Sequence, residues 1–528
     1  MFTRRSFLQS LAAGGATLAL TPREVLADAH HTTADYFGVH PFVETHPAAV
    51  FIMKTSVDAK TNHAAVKEAG LTFGSSVFVP MTAAGVPKTH KVALKPNIVM
   101  MPTTDVTDMG IVTDAYFVEG IIESLKLLGL SGNQFYLREV NDPGQFSNSG
   151  YAQMAARTGA DIRKLDDPIG VIPESEIQWI DVPNGKYFTR IPFLWPVNAP
   201  DTWLLNIAKL KTHLMGMTLC AKNIQGAIAI PYVRHCVAYD DSMGLAAEHV
   251  QTGAKEYILQ NYNRHRADGI PRWDRPGGDA GGLWQETWAT RCMDNNSVTH
   301  AGLNIIEAVY GREGPFTYGP SPEGKGIDHL TNMIIFGKNP FHVDTVGLWL
   351  AGHEPGNLGY LHCAIERGLS TILNPMSIPL YEWKADGSAT PAILDSFQRT
   401  PLRTQYLRRD YNGQEEAEWH LLNEPYVYTT TYAGSLPENK PQSFVLRQNF
   451  PNPFNPSTSI QVDLPREGYL RIEVNDIHGQ TVDLLMDEVR GAGSHMVRWD
   501  ARQRASGLYF CRALFGGSSA VKTMVLIR

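Results

Sequence analysis

A chain of 528 residues exceeds what one ordinary core serves, so two or three folded units are expected. With 43% hydrophobic and 19% charged residues it reads as globular, and a net charge of −7 argues against an overall basic field for nucleic acid. Five scattered cysteines without a C-x-x-C pair argue against an internal ferredoxin-type cluster, a zinc ribbon or a disulfide framework.

The chain begins with Thr3-Arg4-Arg5-Ser6-Phe7-Leu8, an apolar run from Leu11 to Leu20, and the small-x-small site Ala27-Asp28-Ala29. A basic start, a short apolar core and this ending predict a signal peptide over residues 1–29. The paired arginines before Ser-Phe-Leu resemble the twin-arginine signal, which implies handling by the twin-arginine machinery and a passenger exported already folded. No other segment reaches about 18 uninterrupted apolar residues, so no transmembrane anchor is expected.

Residues 30–425 alternate strand-like and helix-like runs. Val92–Lys95 is a short strand closed by Pro96. Ala115–Leu130 carries Phe117, Ile121, Leu125 and Leu128 at helical spacing, with Gly129 and Gly132 at its end. Asn133–Val140, Trp203–Lys209 and Asn332–Gly337 read as strands, and Phe341–Ala351 as a helix. This order predicts an α/β domain with a largely parallel, helix-covered sheet. Ligands in such sheets bind beyond the C-terminal strand ends.

That rule selects Lys95 and Asn97 after one strand and Glu139 and Asn141 after the next. If the third strand stays extended, Lys209, Lys211 and His213 share a face. Thr218–Asn223 reads as a helix with Thr218 and Lys222 on one side, Asn223 beside them, and Gly216 and Gly226 allowing close approach. Asp344 falls in the first turn of its helix near the same rim. Crowded lysines in an acidic chain point to a small anionic ligand, and burial should lower their pKa values unless an anion neutralises them. In an enzyme of this kind Lys211, His213 and Lys222 would carry proton transfer and charge stabilisation. Lys95, Asn97, Glu139, Lys209, Thr218, Asn223 and Asp344 would bind the ligand. The structural alternative pairs Lys209 and Lys211 with Glu139 and Asp344, and makes Asp344 a helix-dipole carboxylate.

No cofactor is identified, and no metal-ligand set is expected: His40, His46, His63, His90, His235 and His265 lack a suitable spacing. Gly311–Gly319 reads as a Gly/Pro loop able to act as a lid, without the ending of a phosphate loop. Pro271–Leu283 reads as an irregular surface loop that frames the pocket or merely connects.

Five blocks resemble the family called domain of unknown function 362, between about Lys91 and Leu369. They are Lys95-Pro96-Asn97-Ile98-Val99, Lys209-Leu210-Lys211-Thr212-His213 and Thr218-Leu219-Cys220-Ala221-Lys222-Asn223-Ile224-Gln225-Gly226. The others are Asn304-Ile305-Ile306-Glu307-Ala308 with Glu313-Gly314-Pro315, and Gly337-Lys338-Asn339-Pro340-Phe341-His342-Val343-Asp344. The resemblance implies a domain of unassigned activity, some of whose relatives carry iron–sulfur modules. This chain departs by lacking cluster cysteines, by Asn339 where an aspartate is common, and by His342 where a small residue is usual.

Residues 426–446 are Thr/Ser/Pro/Asn/Lys-rich and read as a linker. Residues 447–528 open with Asn449-Phe450-Pro451-Asn452-Pro453-Phe454-Asn455-Pro456 and continue as short alternating strands, the pattern of an antiparallel sandwich. That opening, Gly493–Trp499, Ser506-Gly507-Leu508-Tyr509-Phe510 and the Lys522–Arg528 ending resemble the type IX secretion C-terminal sorting domain. The resemblance implies an immunoglobulin-like sandwich, an outer-membrane secretion partner and a cell-surface or extracellular destination. Three functions stay open: an enzyme on a small anionic substrate, a non-catalytic surface binding protein, and a structural surface component.

Overall fold

The computed structural model describes residues 35–527 apart from 82–84, 100–105, 141–142, 163–170, 215, 230–246, 271–272, 275–282, 406–407, 410–418, 429–443, 450–451, 453, 455 and 492. The expected signal peptide, Asn141, Cys236, most of the Pro271–Leu283 loop and most of the expected linker lie outside the described residues.

The chain divides into two compact units, Met1–Thr429 and Thr430–Arg528. In the first, one ten-stranded sheet is built from β1 (Val50–Lys54), β2 (Lys91–Pro96), β3 (Phe135–Leu137), β4 (Asp161–Ile162), β5 (Thr202–His213), β6 (Gly216–Thr218), β7 (Leu303–Tyr318), β8 (Lys325–Gly337), β9 (Leu380–Trp383) and β10 (Ala389–Pro391). The order is β10–β9–β1–β8–β7–β5–β2–β3–β4, with β6 paired to β5 off this path. β4, β3, β2, β5 and β7 run parallel, as do β9 and β1, whereas β8 is antiparallel to both its neighbours. The sheet is mainly parallel; β8, which contains Asn332–Gly337, departs from this, as do β6 against β5 and β10 against β9.

The central strands are near-continuous apolar runs because both faces are covered. Val92 and Leu94 join the core shared with α1 (His63–Val77) and α2 (Ala115–Leu127), while Ala93 joins the core on the opposite face. α1 and α2 meet at glycines: a Cβ on Gly120 would lie 2.2 Å from the Lys67 carbonyl oxygen. The second face is covered partly by the one-turn helix α3 (Cys220–Asn223), by α4 (Ala254–Ala267) and by α5 (Leu283–Val298), with α6 (Pro340–Leu350) and α7 (Gly359–Glu366) following. α5 is tied in by a buried carboxylate. Asp294 Oδ2 accepts from the backbone N–H groups of Lys186, Tyr187 and Phe188 at 3.0, 2.7 and 2.9 Å, and Oδ1 accepts from Arg367 at 2.9 Å.

Two local expectations are corrected. Thr218 is not helical: it ends β6, opposite Lys211 of β5, and the helix begins only at Cys220. Gly311–Tyr318 is not a loop but the continuation of β7, paired with β8 through Tyr318 and Lys325. Glycine serves there for strand proximity, since a Cβ on Gly319 would sit 2.5 Å from the Gly326 Cα.

The second unit holds two antiparallel sheets. One orders β11 (Val445–Leu446), β12 (Ser457–Leu464) and β15 (Gly493–Asp500); the other orders β14 (Thr481–Arg490), β13 (Gly468–Asn475), β16 (Gly507–Phe515) and β17 (Ser518–Leu526). Leu470, Ile472 and Val474 alternate into one core with Ile460, Val462 and Trp499 from the other sheet, which is consistent with a β-sandwich. Cys220, Cys292, Cys363 and Cys511 are buried.

Candidate functional site

Beyond the C-terminal ends of β2, β3 and β5 lies a cavity of about 390 Å³. Asn97, Ile98, Glu139, His213, Thr218, Lys222, Asn223, Gln225, Trp284 and Phe316 are among its lining residues. Its floor is a fully hydrogen-bonded ion pair. Lys95 Nζ donates to Glu139 Oε2 at 2.6 Å, to the Pro96 carbonyl at 2.6 Å and to Asn223 Oδ1 at 3.2 Å. Glu139 also accepts from the Ile98 and Val140 backbone N–H groups, both at 3.1 Å. Gly226 is required for this approach, because a Cβ there would lie 1.9 Å from Glu139 Oε1. Burial pushes the Lys95 ammonium down and the Glu139 carboxyl up, each opposed by its partner's charge.

Asn223 links this pair to the sheet. Its Nδ2 donates to the Lys95 carbonyl at 2.8 Å and to Asn206 Oδ1 at 2.9 Å, and Asn206 in turn donates to Asn304 Oδ1 at 2.8 Å. Asp344 positions the same turn from below: Oδ1 accepts from Cys220 N at 2.6 Å and Oδ2 from Ala221 N at 3.1 Å. Burial raises its carboxyl to about 7, against those hydrogen bonds.

Two cations stand apart from this balanced floor. Lys222, on α3, projects into the cavity, and among the described residues it has no hydrogen-bond or ion-pair partner. Lys211 is completely buried, donates to the Pro315 carbonyl at 3.0 Å and lies 5.7 Å from the Phe316 ring, with no carboxylate at ion-pair distance among the described residues. Burial, then Lys222 and Arg312, hold its amine well below the ordinary value. His213 lies edge-on to Phe316, and burial followed by Lys222 and Lys211 holds its imidazole well below the ordinary range. Among the described residues, Asn97 Oδ1 and Thr218 Oγ1 have no hydrogen-bond partner, and both are buried on residues that line the cavity. Such orphaned atoms in a polar recess suit ligand or water contacts.

The fold therefore brings Asn97, Glu139, His213, Thr218, Lys222 and Asn223 to one cavity, with Lys95 and Lys211 packed behind it. Lys209 and Asp344 do not line it. Lys209 is matched to Glu307 at 2.5 Å and lies 3.5 Å over the Tyr310 ring, near the N-cap of α2. Lys209 pairs with Glu307 rather than joining Lys211 and His213 at the cavity, and β5 shifts register against β7 between Lys209 and Lys211. The carboxylate partners also differ from the structural alternative: the pairs are Lys95–Glu139 and Lys209–Glu307.

Phe316, Gln225 and Trp284 were not singled out in the sequence. Phe316 follows the Glu313-Gly314-Pro315 block directly, and Trp284 follows the Gly-rich segment, so proximity to those features was the available signal. With Glu139 committed to Lys95 and two N–H groups, the groups left to the cavity include the Lys222 ammonium, the Asn97 amide oxygen, which only accepts, and the Thr218 hydroxyl.

Residues 92–349 match the model of a domain of unknown function (DUF362), and residues 448–527 match that of a secretion system C-terminal sorting domain. No curated protein matches. Among solved structures, dimeric latent PorU from Porphyromonas gingivalis is similar at 17% identity and a TM-score of 0.13, over 16% of this chain and 9% of that one. The chain thus spans under a tenth of the length of that relative.

Proposed function

We propose that this protein is exported and that its central unit takes a small anionic organic ligand into the cavity, where Lys222 holds the negative charge and His213 moves a proton. The sorting tail indicates export to the cell surface or extracellular space, and among the described residues no helix is long and apolar enough to cross a membrane. The observation that carries the ligand reading is Lys222 at the cavity and buried Lys211 behind it, neither with a carboxylate at ion-pair distance among the described residues, beside an Asn97 amide oxygen and a Thr218 hydroxyl without a hydrogen-bond partner there. An imidazole kept neutral by burial and flanking cations is unprotonated and becomes able to take a proton once a bound anion offsets those cations, which also stabilise an enolate-like charge as it forms. Isomerase or lyase chemistry on a carboxylate or phosphate ester fits these parts.

The first module reads further as a twin-arginine signal, and the second unit as immunoglobulin-like. Tyr509 Oη donating to the Ala505 carbonyl at 2.8 Å, beside buried Trp499, supports the latter. Replacing Arg4 and Arg5 by lysine should retain the protein in the cytoplasm of its host; unchanged export would reject that route.

The test of the site is a thermal-shift screen of carboxylates and phosphate esters on wild type and Lys222→Met, followed by NMR of a stabilising ligand in deuterated water. Stabilisation that Lys222→Met abolishes, with deuterium entering the ligand in wild type but not in His213→Gln, is expected. Equal stabilisation of wild type and Lys222→Met would overturn the site. Binding without exchange or conversion would leave a non-catalytic binding protein and overturn the role of His213.

A further inference from the structure

Three helices distant in sequence bring an imidazole, a carboxylate and a thiol together behind the cavity wall. His265 on α4, Glu286 on α5 and Cys363 on α7 are all buried, and one ligating atom of each lies within 4.8 Å of the others. His265 Nδ1 is 3.1 Å from Glu286 Oε2, and Cys363 Sγ is 4.0 Å from Glu286 Oε1. The far side of the imidazole is also held: Nε2 lies 2.8 and 2.9 Å from the two Glu366 oxygens, and Arg264 reaches the same carboxylate at 2.7 Å.

The protons have two arrangements. With Nε2–H donating to Glu366, the Nδ1 lone pair faces a Glu286 oxygen 3.1 Å away and the two need a cation between them; with Nε2 accepting from Arg264 Nη2, 2.7 Å away, Nδ1–H donates to Glu286. A proton would serve. A thiol 4.0 Å from the other Glu286 oxygen is not needed by a proton, but it completes a nitrogen, oxygen and sulfur set of the kind borderline-soft metals take. The outer partners match what a metal-bound histidine ordinarily has: a carboxylate on its second nitrogen, itself held by an arginine. Asn261 Nδ2 donates to Glu286 Oε1 at 2.6 Å and orients the carboxylate.

We propose that His265, Glu286 and Cys363 form a site for a divalent metal ion of the zinc class. Coordination releases the thiol proton, and any proton on Nδ1, to solvent. The thiolate and carboxylate then neutralise the dication while Glu366 stays balanced by Arg264. Trp284 precedes Glu286 by two positions on α5 and lines the cavity, so a metal joining α4, α5 and α7 fixes the wall that carries it. The three ligands come from positions 265, 286 and 363, which no short motif could reveal.

The experiment uses the full chain, stripped with a chelator and titrated with zinc chloride or cobalt chloride. One tightly held zinc per chain by native mass spectrometry is expected, with a near-ultraviolet thiolate-to-cobalt charge-transfer band that Cys363→Ser removes and Cys292→Ser keeps. A band that survives Cys363→Ser, or no band in wild type, overturns the site even if a variant misfolds. Zinc held equally by His265→Gln would show an adventitious ion and likewise overturn it.

Discussion

Removing a lysine ammonium from water without supplying an anion costs several kcal/mol, a cost that natural cores avoid unless the charge is used. Lys211 is in that position, whereas Lys95 and Lys209 are each matched to a glutamate. Lys211→Met should raise the stability of the ligand-free protein by about 2 kcal/mol while weakening ligand stabilisation, read by denaturant melts with and without ligand. The pH dependence follows from the depressed amine. Burial and the neighbouring cations hold the native-state amine well below its unfolded value, so the penalty of burying it is absent above about pH 10.5 and grows as pH falls toward the depressed folded value. Lys211→Met should flatten that slope. The sequence drew attention to all four lysines but could not separate them. Glu307 reaches Lys209 only through the parallel register of β5 and β7, and the shift after Lys209 is a property of the paired strands.

Elements were legible where period and punctuation agreed. β2, closed by Pro96, and α2, capped by Asp114, follow from apolar spacing and their ends. The β7–β8 hairpin was not legible, because Gly and Pro ordinarily mark turns and here permit two strands to approach closely. α1 and α2 depend on a similar approach. Gly120→Ala would drive a methyl against the α1 backbone, and a loss of about 2 kcal/mol in thermal or urea unfolding is expected. The hairpin is tied to the segment after Pro401 by Glu313, which accepts from Arg403 Nε at 2.8 Å and Nη2 at 3.0 Å. Burial alone would raise this carboxyl, but the hydrogen bonds from His329 and Arg403 prevail and bring it to about 2. Its folded value is depressed, so the stability it supplies is present above about pH 4.5 and is lost as pH falls toward 2. Acid titration of wild type against Glu313→Gln should show that window, and coincident curves would contradict it.

At the scale of the molecule, a secretion-type tail follows a unit whose cavity is assembled from strand ends, a one-turn helix and α5. The tail was readable because its turn residues and landmarks are local. The rear wall of the cavity was not, since its parts meet only in three dimensions. The Asp294 carboxylate illustrates the consequence for persistence outside the cell. It closes loops of 106 to 108 residues to reach the N–H groups of Lys186, Tyr187 and Phe188. Bringing such remote segments together carries a loop-closure cost, so this contact is expected to form after the folding barrier and to break before it is recrossed. Asp294→Asn should therefore accelerate unfolding by roughly tenfold or more while leaving the refolding limb of a chevron nearly unchanged. An exported chain would owe its lifetime to that slow escape.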